Sequence, residues 1–81
     1  MDVFTFVTEL TGKLDGAGYS DVKWHTNQEH TIIRVRDNEL TYKLMIPNIE
    51  INYSVADLSE YYANKIIKAF ADKEAEQAVM R

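Results

Sequence analysis

The residues of this chain that could do chemistry are few, and they form no familiar catalytic or metal-binding pattern. The sequence contains no cysteine and two histidines, His25 and His30, with Glu29 beside the second. A metal site needs side chains that converge on one point, and two imidazoles on opposite sides of a polar loop seldom do so. We therefore expect no metal ion and no other cofactor.

The hydroxyl and carboxylate side chains do not favour catalysis either. Ser54 and Ser59 stand where a helix is expected to start, and no histidine is placed by a recognisable motif to activate them. The three glycines follow no predicted strand, so the sequence has no phosphate-binding loop. Asp37 and Glu39 form a carboxylate pair, but a solvent-exposed turn is a poor setting for acid–base catalysis. The sequence predicts that the protein is not an enzyme.

The stretch that must position most of these side chains is Thr31–Ile46. β-branched and aromatic residues alternate with polar ones on both sides of the turn-forming cluster 37–39, which is typical of a β-hairpin. The alternation places one set of apolar side chains on a single face: Ile33, Val35, Leu40, Tyr42, Leu44 and Ile46. This face needs a cover, and the segments before and after the hairpin can supply it.

The segment before the hairpin predicts a helix followed by a strand. Asp2 can cap a helix whose apolar side chains recur at three- and four-residue steps, and residues 16–18 should end it. The stripe comprises Val3, Phe6, Val7, Leu10 and Leu14, with Phe4 at its edge. Tyr19–Thr26 is then predicted as the first strand, with Val22 and Trp24 on one face. The polar residues 27–30 form the loop into the central pair of strands.

The connection after the hairpin has two interpretations. Pro47 cannot donate to a sheet ladder, so the third strand should end or bulge there. Ile49, Ile51 and Tyr53 alternate with polar residues, which predicts either a short fourth edge strand or an extended connection that packs on the core. The sequence does not choose between them.

A long helix is predicted after Ser54-Val55-Ala56-Asp57, which resembles a capping box. Its broad apolar face comprises Val55, Leu58, Tyr62, Ala63, Ile66, Ile67 and Phe70. A helix from about residue 56 to about residue 79 is longer than the sheet it covers, so Ala71–Arg81 should overhang. This tail is expected to be frayed, a separate short helix, or a contact for a partner such as a second copy of the chain.

Together these elements predict one α+β domain over residues 1–81. An N-terminal helix and a long C-terminal helix pack on one face of an antiparallel three-stranded meander, with residues 49–53 as the candidate fourth strand. No linker, repeat or low-complexity stretch divides the chain.

The charge of the chain favours a protein partner with a basic surface. Thirteen Asp and Glu against nine Lys and Arg give a formal net charge of −4. Such a field repels phosphate backbones and anionic membranes, so nucleic acid is not favoured as a direct partner. The N-terminus lacks the features of a signal peptide, and no apolar run approaches the ~20 residues of a membrane span. We expect a cytoplasmic protein.

Two groups of charges are predicted to lie outside the core. Basic residues fall on the sheet face away from the helices, where Arg34 and Arg36 have Lys23 and Lys43 as neighbours, interspersed with Ile32, Thr41 and Met45. Acidic residues are expected along the loops and edges: Asp21, Glu29, Asp37, Glu39 and Glu50. Tyr61 cannot share the inward face of its helix with Tyr62, so we expect it at the boundary or outside, where tyrosine often anchors a partner.

The order helix, three strands, helix resembles that of double-stranded-RNA-binding domains over most of the chain, in topology. That family has a lysine-rich cluster at the start of its second helix and a Gly-Pro-x-His loop between its first strands. This chain has Ser54-Val55-Ala56-Asp57 and Asn27-Gln28-Glu29-His30 at those places. Without the cations, phosphate binding loses its main attractive term. RNA binding is therefore an alternative hypothesis, beside a role as a small structural or oligomerisation subunit.

A second resemblance is to small phage-encoded anti-CRISPR proteins, the acidic inhibitors of the nuclease Cas9 with a helix, three strands and a helix. Ile32-Ile33-Arg34-Val35 with Tyr42 resembles the central hairpin of that family, and Lys65-Ile66-Ile67-Lys68-Ala69-Phe70 is similar to its following helix. The resemblance implies a DNA mimic, in which loop acids occupy the basic surface that reads the protospacer-adjacent motif. Asp37 and Glu39 do not stand at the family's offsets, so we take them as contacts from charge and expected exposure.

The sequence thus predicts a small binding protein of the phage-inhibitor type, which blocks a basic, nucleic-acid-binding surface of a host defence complex. Asp37 and Glu39 are the expected electrostatic contacts. Glu29 and Glu50 are the supporting charges, and Tyr61 is the expected anchor.

Overall fold

Two long helices, one short helix and a three-stranded antiparallel sheet form the described part of the chain, and this is the α+β class that the hairpin pattern and its amphipathic flanks predict. The computed structural model describes residues 2–54 and 57–79, and side chains up to residue 74. The elements are α1 (Val3–Gly16), β1 (Asp21–Thr26), β2 (His30–Asp37), β3 (Leu40–Pro47), α2 (Asn48–Asn52) and α3 (Leu58–Val79). None of the helices in these ranges is long and apolar enough to span a membrane.

Helix α1 begins and ends where its capping residues predict. The Asp2 carboxylate accepts the Thr5 backbone N–H at 2.8 Å and the Thr5 hydroxyl at 3.0 Å, and these bonds lower the pKa of Asp2. At the other end Gly18 has φ +96°, and the Tyr19 N–H donates to the Leu14 carbonyl at 2.8 Å. The chain therefore leaves the helix at Tyr19, and β1 starts two residues later than the sequence predicts.

The strands pair in the order β1-β2-β3, so β2 is central. Trp24 stands opposite Ile33 and Ile33 opposite Leu44, which places these three on the helix side of the sheet. The pairing of β2 with β3 closes at Asp37 and Leu40, which leaves Asn38 and Glu39 as a two-residue turn. Asn38 has φ +56°, a conformation that asparagine tolerates better than most residues. The predicted hairpin and its turn are confirmed.

Both helices pack on the same face of this sheet. The buried core combines side chains of α1, the sheet, α2 and α3: Phe6, Val7, Leu10, Leu14, Ile33, Val35, Leu44, Ile46, Ile51, Tyr62, Ala63, Ile66 and Phe70. Aromatic contacts hold α3 in place: Phe70 stacks on Tyr19 of the α1–β1 connection at 5.0 Å between ring centroids, and Tyr62 meets Phe6 of α1 edge to face at 6.0 Å. The opposite face of the sheet is not covered by any described element, and we call it the outer face.

The connection after β3 corrects the sequence prediction. Residues 48–52 form the short helix α2, neither a fourth strand nor an extended segment. The Asn48 side chain is the physical reason: it accepts the Thr31 hydroxyl at 2.6 Å and donates to the Asn27 carbonyl at 2.7 Å, so the chain turns at the end of the sheet. Of the alternating residues only Ile51 is buried, whereas Ile49 and Tyr53 are 67% and 80% exposed.

Helix α3 begins at Leu58, so Asp57 takes the capping position that the prediction assigned to Ser54. Its carboxylate accepts the Ser59 hydroxyl at 2.6 Å and the Glu60 N–H at 3.2 Å, and these bonds lower the pKa of Asp57. Val55 and Ala56 of the predicted capping box lie outside the described residues. Phe70 is the last buried residue in the part of α3 whose side chains are described, and residues 71–74 are exposed. The part of the predicted overhang whose side chains are described therefore projects beyond the core.

Candidate functional site

The five predicted contact residues lie at two opposite ends of the sheet. In an antiparallel meander successive connections alternate between the ends, and β2, with eight residues, separates its two connections by roughly 25 Å. Asp37 and Glu39 lie at the end with the 38–39 turn, which we call the turn end. Glu29 and Glu50 lie at the end with the 27–29 loop and α2, which we call the loop end. The acidic residues that the sequence places along the loops and edges are therefore divided between the two ends.

The turn end brings together acids from four parts of the chain. Asp37 ends β2 and is half-buried, while Glu39 is exposed in the turn. Burial raises the pKa of Tyr19, and the nearby carboxylates of Glu74 and Asp37 raise it further. Asp21 lies at this end too, opposite Arg36 in the strand pairing. The acidic side chains of the turn end are Asp21, Asp37, Glu39 and Glu74.

Glu74 is a member of this group that the sequence analysis did not name. It stands one helical turn after Phe70, so it continues the inward face of α3 past the edge of the core. That spacing could have identified it. One cation reduces the negative charge of the turn end. The Arg36 guanidinium donates through Nε to the Asn38 carbonyl at 3.2 Å and so lies against the turn.

The loop end is held by side-chain hydrogen bonds. The Asn27 carboxamide oxygen accepts the N–H groups of Glu29 and His30, both at 2.8 Å, and thereby fixes the loop. Glu50 accepts the Tyr62 hydroxyl at 2.8 Å. Burial raises the pKa of Tyr62 to about 12, and this bond to Glu50 contributes to the rise. Glu50 thus fastens α2 to α3, while Glu29 is exposed and has no described side-chain partner.

Tyr61 is 57% exposed, as its position next to Tyr62 on the helix predicts. Its ring meets that of Tyr62 edge to face at 5.0 Å, and the Lys65 ammonium lies 6.0 Å from its centroid. Because Tyr62 is bonded to Glu50, Tyr61 belongs with α2 and the loop end rather than with Asp37 and Glu39.

The outer face carries the basic residues in the arrangement that the sequence predicts. Lys23, Arg34 and Lys43 stand side by side across the three strands, and Arg36 lies in the next row between Asp21 and Thr41. A shallow depression of about 230 Å³ is lined by residues of these two rows: Asp21, Lys23, Arg34, Arg36 and Thr41. Four of the nine basic residues of the chain are thus gathered on one uncovered face.

Among the residues considered above as nucleophiles or metal ligands, Ser59 has a structural role. Ser59 is fully buried, donates to Asp57, and lies 3.2 Å from the Glu9 carboxylate, so it joins α3 to α1. Nowhere in the part of the chain that the structure describes do three or more histidine, aspartate or glutamate side chains stand together as metal ligands.

Comparison with known proteins adds no relative, since no family model, curated protein or solved structure matches the chain. The function is therefore argued from the surfaces described above.

Proposed function

We propose that this chain is a small inhibitor that binds a basic, nucleic-acid-binding surface of a larger complex through the turn end of its sheet. The observation that carries the proposal is that acids from β1, β2, the 38–39 turn and α3 all lie at this one end, with Asp37 and Glu74 both near Tyr19 on the helix side and Asp21 on the outer side. Asp37 and Glu39 are the main electrostatic contacts. Glu74 and Asp21 replace the loop-end acids as supporting charges.

The geometry suits a mimic of a phosphate backbone. Asp21 and Asp37 are fixed in position by the strands that carry them, whereas surface acids on a flexible tail would lose conformational entropy on binding. Arginines that donate hydrogen bonds to phosphates or guanines can donate to a carboxylate in the same bidentate geometry. A rigid acidic end can therefore occupy a basic site and exclude the nucleic acid from it.

The resemblance of the hairpin and of α3 to anti-CRISPR proteins supports a phage-encoded inhibitor of a host defence complex. In such a complex the target is the surface that reads the protospacer-adjacent motif, which is lined by arginines. A small chain with a fixed sheet and a charged end needs nothing further to act there, since steric exclusion requires only binding.

The test uses a guide-loaded CRISPR effector nuclease and two matched charge reversals. Glu39→Lys changes the turn end, and Glu29→Lys makes the same change of charge at an exposed position of the loop end. We expect Glu39→Lys to weaken binding about tenfold, mainly through slower association, and Glu29→Lys to weaken it about twofold or less. Raising the salt from about 50 to about 500 mM should weaken binding by the wild type strongly.

Duplex DNA that carries the recognised motif should compete with the wild-type protein for the nuclease. The proposal is refuted if the nuclease does not bind, if DNA does not compete, or if the two charge reversals weaken binding equally. A variant with both Asp37→Lys and Glu39→Lys should bind more weakly than Glu39→Lys alone, and its circular dichroism spectrum checks that the hairpin is still folded.

A further inference from the structure

The row formed by Lys23, Arg34 and Lys43 on the outer face has no structural partner. The three residues are directly opposite one another across β1, β2 and β3, with neighbouring Cβ atoms ~5 Å apart. Like charges in such positions repel, so the row makes the sheet less stable. All three side chains are exposed and make no ion pair or hydrogen bond with the described residues. Charges that cost stability and are not neutralised within the fold are suited to an anionic ligand.

A second row runs beside the first and has a different character. It comprises His25, Ile32 and Met45, again opposite one another across the three strands. Met45 is 55% exposed although it is apolar. A depression of about 180 Å³ is lined by Lys23, Trp24, His25, Ile32 and Arg34, so it joins the two rows, and the depression of about 230 Å³ adjoins it on the side of Arg36.

We propose that the outer face binds single-stranded nucleic acid, with phosphates on the row Lys23–Arg34–Lys43 and bases over Ile32 and Met45. A single strand carries a charge on every unit along one side and an apolar base face on the other, which matches a basic row beside an apolar row. The bases of a duplex are stacked inside it and would leave the apolar row without a contact. The basic row adjoins the row that carries Asp21 of the turn end, but binding on the outer face does not depend on the function proposed above.

The neighbouring charges limit the site without cancelling it. Asp21 is the only carboxylate among the strand residues that face outward, and it stands opposite Arg36 rather than in the basic row. Asp37 lies three residues from Arg34, roughly 10 Å along the strand, which is about one Debye length at physiological salt. The net charge of −4 therefore weakens attraction at long range, while at contact the ligand meets three cations.

The test measures binding of a fluorescent twelve-nucleotide oligothymidylate, a probe length of about one site, by anisotropy at about 50 mM salt. The variant carries Arg34→Gln with Lys43→Gln. The matched control carries Lys68→Gln with Lys73→Gln, which removes the same charge from exposed positions of α3 on the other side of the sheet. We expect the variant to bind about tenfold or more weakly and the control to change affinity about twofold or less.

The salt dependence gives a second readout. Three phosphate contacts on a single strand predict that log K falls with log salt at a slope of about −2, and loss of two contacts should reduce the slope to about −0.7. Asp21→Asn should tighten binding.

No binding of the oligothymidylate by the wild type would overturn the proposal. So would equal losses in the variant and the control, or binding of a duplex or of polyglutamate as tight as that of the single strand. All four substituted positions lie on exposed surfaces, so both variants should fold. The Arg34→Gln, Lys43→Gln variant should melt at or above the temperature of the wild type, because it removes the repulsion within the basic row.

Discussion

Phe70 is the residue through which the C-terminal half of α3 is fastened to the sheet. It is 1% exposed, stacks on Tyr19, and lies 6.5 Å from the Tyr42 ring between centroids. Truncation to alanine in a core costs about 3–5 kcal/mol. A chain of 81 residues has a total stability of about 4–12 kcal/mol, so Phe70→Ala could leave too little folded protein to measure. Phe70→Leu is the informative change.

Leucine keeps an apolar side chain in the site but removes the ring contacts and leaves a small cavity. Ring pairs contribute about 0.5–1.5 kcal/mol beyond area burial, and the lost volume adds a similar amount, so we expect a loss of about 2 kcal/mol. With a urea dependence of about 1 kcal/mol per molar, the unfolding midpoint should fall by about 2 M. The melting temperature should fall by about 8–16 °C.

The control for this measurement is Tyr61→Leu, an aromatic-to-leucine change on the exposed side of the same helix. It should change the free energy of unfolding by about 0.5 kcal/mol or less. If Phe70→Leu lowers the urea midpoint no more than Tyr61→Leu does, α3 does not pack against the sheet at Phe70. The convergence of Glu74 with Asp37 at the turn end would then be lost as well.

Two further perturbations test the loop end and the tail. Tyr62→Phe removes the hydroxyl that donates to Glu50 and should cost about 1 kcal/mol near neutral pH. The pKa of Tyr62 is about 12 in the fold against an ordinary value of 10.0. The protonated hydroxyl therefore stabilises the fold below pH 10, and this stabilisation is lost as the pH rises toward 12. Between pH 10 and 12 the free energy of unfolding, measured with urea, should fall less for Tyr62→Phe than for the wild type. Deletion of residues 71–81 tests the alternative in which this tail is a contact between two copies of the chain. In that case the mass measured by light scattering should fall from a dimer to a monomer.

Each of these has an outcome that contradicts it. If the free energy of unfolding falls equally for the wild type and for Tyr62→Phe between pH 10 and 12, the fold does not raise the pKa of the Tyr62 hydroxyl. An unchanged mass after deletion of residues 71–81 would remove the tail as a dimer contact.

The strand and helix patterns were sufficient for the fold class because each element carries its own periodicity. The alternation in Thr31–Ile46 and the three- and four-residue steps in α1 and α3 each specify one buried face. Packing both helices on one face of the sheet buries all three apolar faces at once. The same alternation also put the basic residues on the outer face, since a strand sends successive side chains to opposite sides.

The segment 48–52 shows where local pattern fails. Ile49, Ile51 and Tyr53 alternate as in a strand, but five residues are too few to separate the two periodicities. The outcome depends on Asn48, whose partners Asn27 and Thr31 are 21 and 17 residues away in the chain. Such a hydrogen bond exists only once the sheet has brought its ends together.

The sequence by itself determined the α+β class, the hairpin with a turn in the cluster 37–39, the inward face of each long helix, and the separation of the basic residues from the core. These features follow from local periodicity and turn chemistry. The tertiary structure decided which charges share a surface. It separated Glu29 and Glu50 from Asp37 and Glu39, and it brought Glu74 from a distant helix to the turn end. The physical reason is that the energy of an electrostatic interaction depends on the distance between the charges in space. Strand order and helix packing determine that distance, and the local spacing of residues in the chain does not.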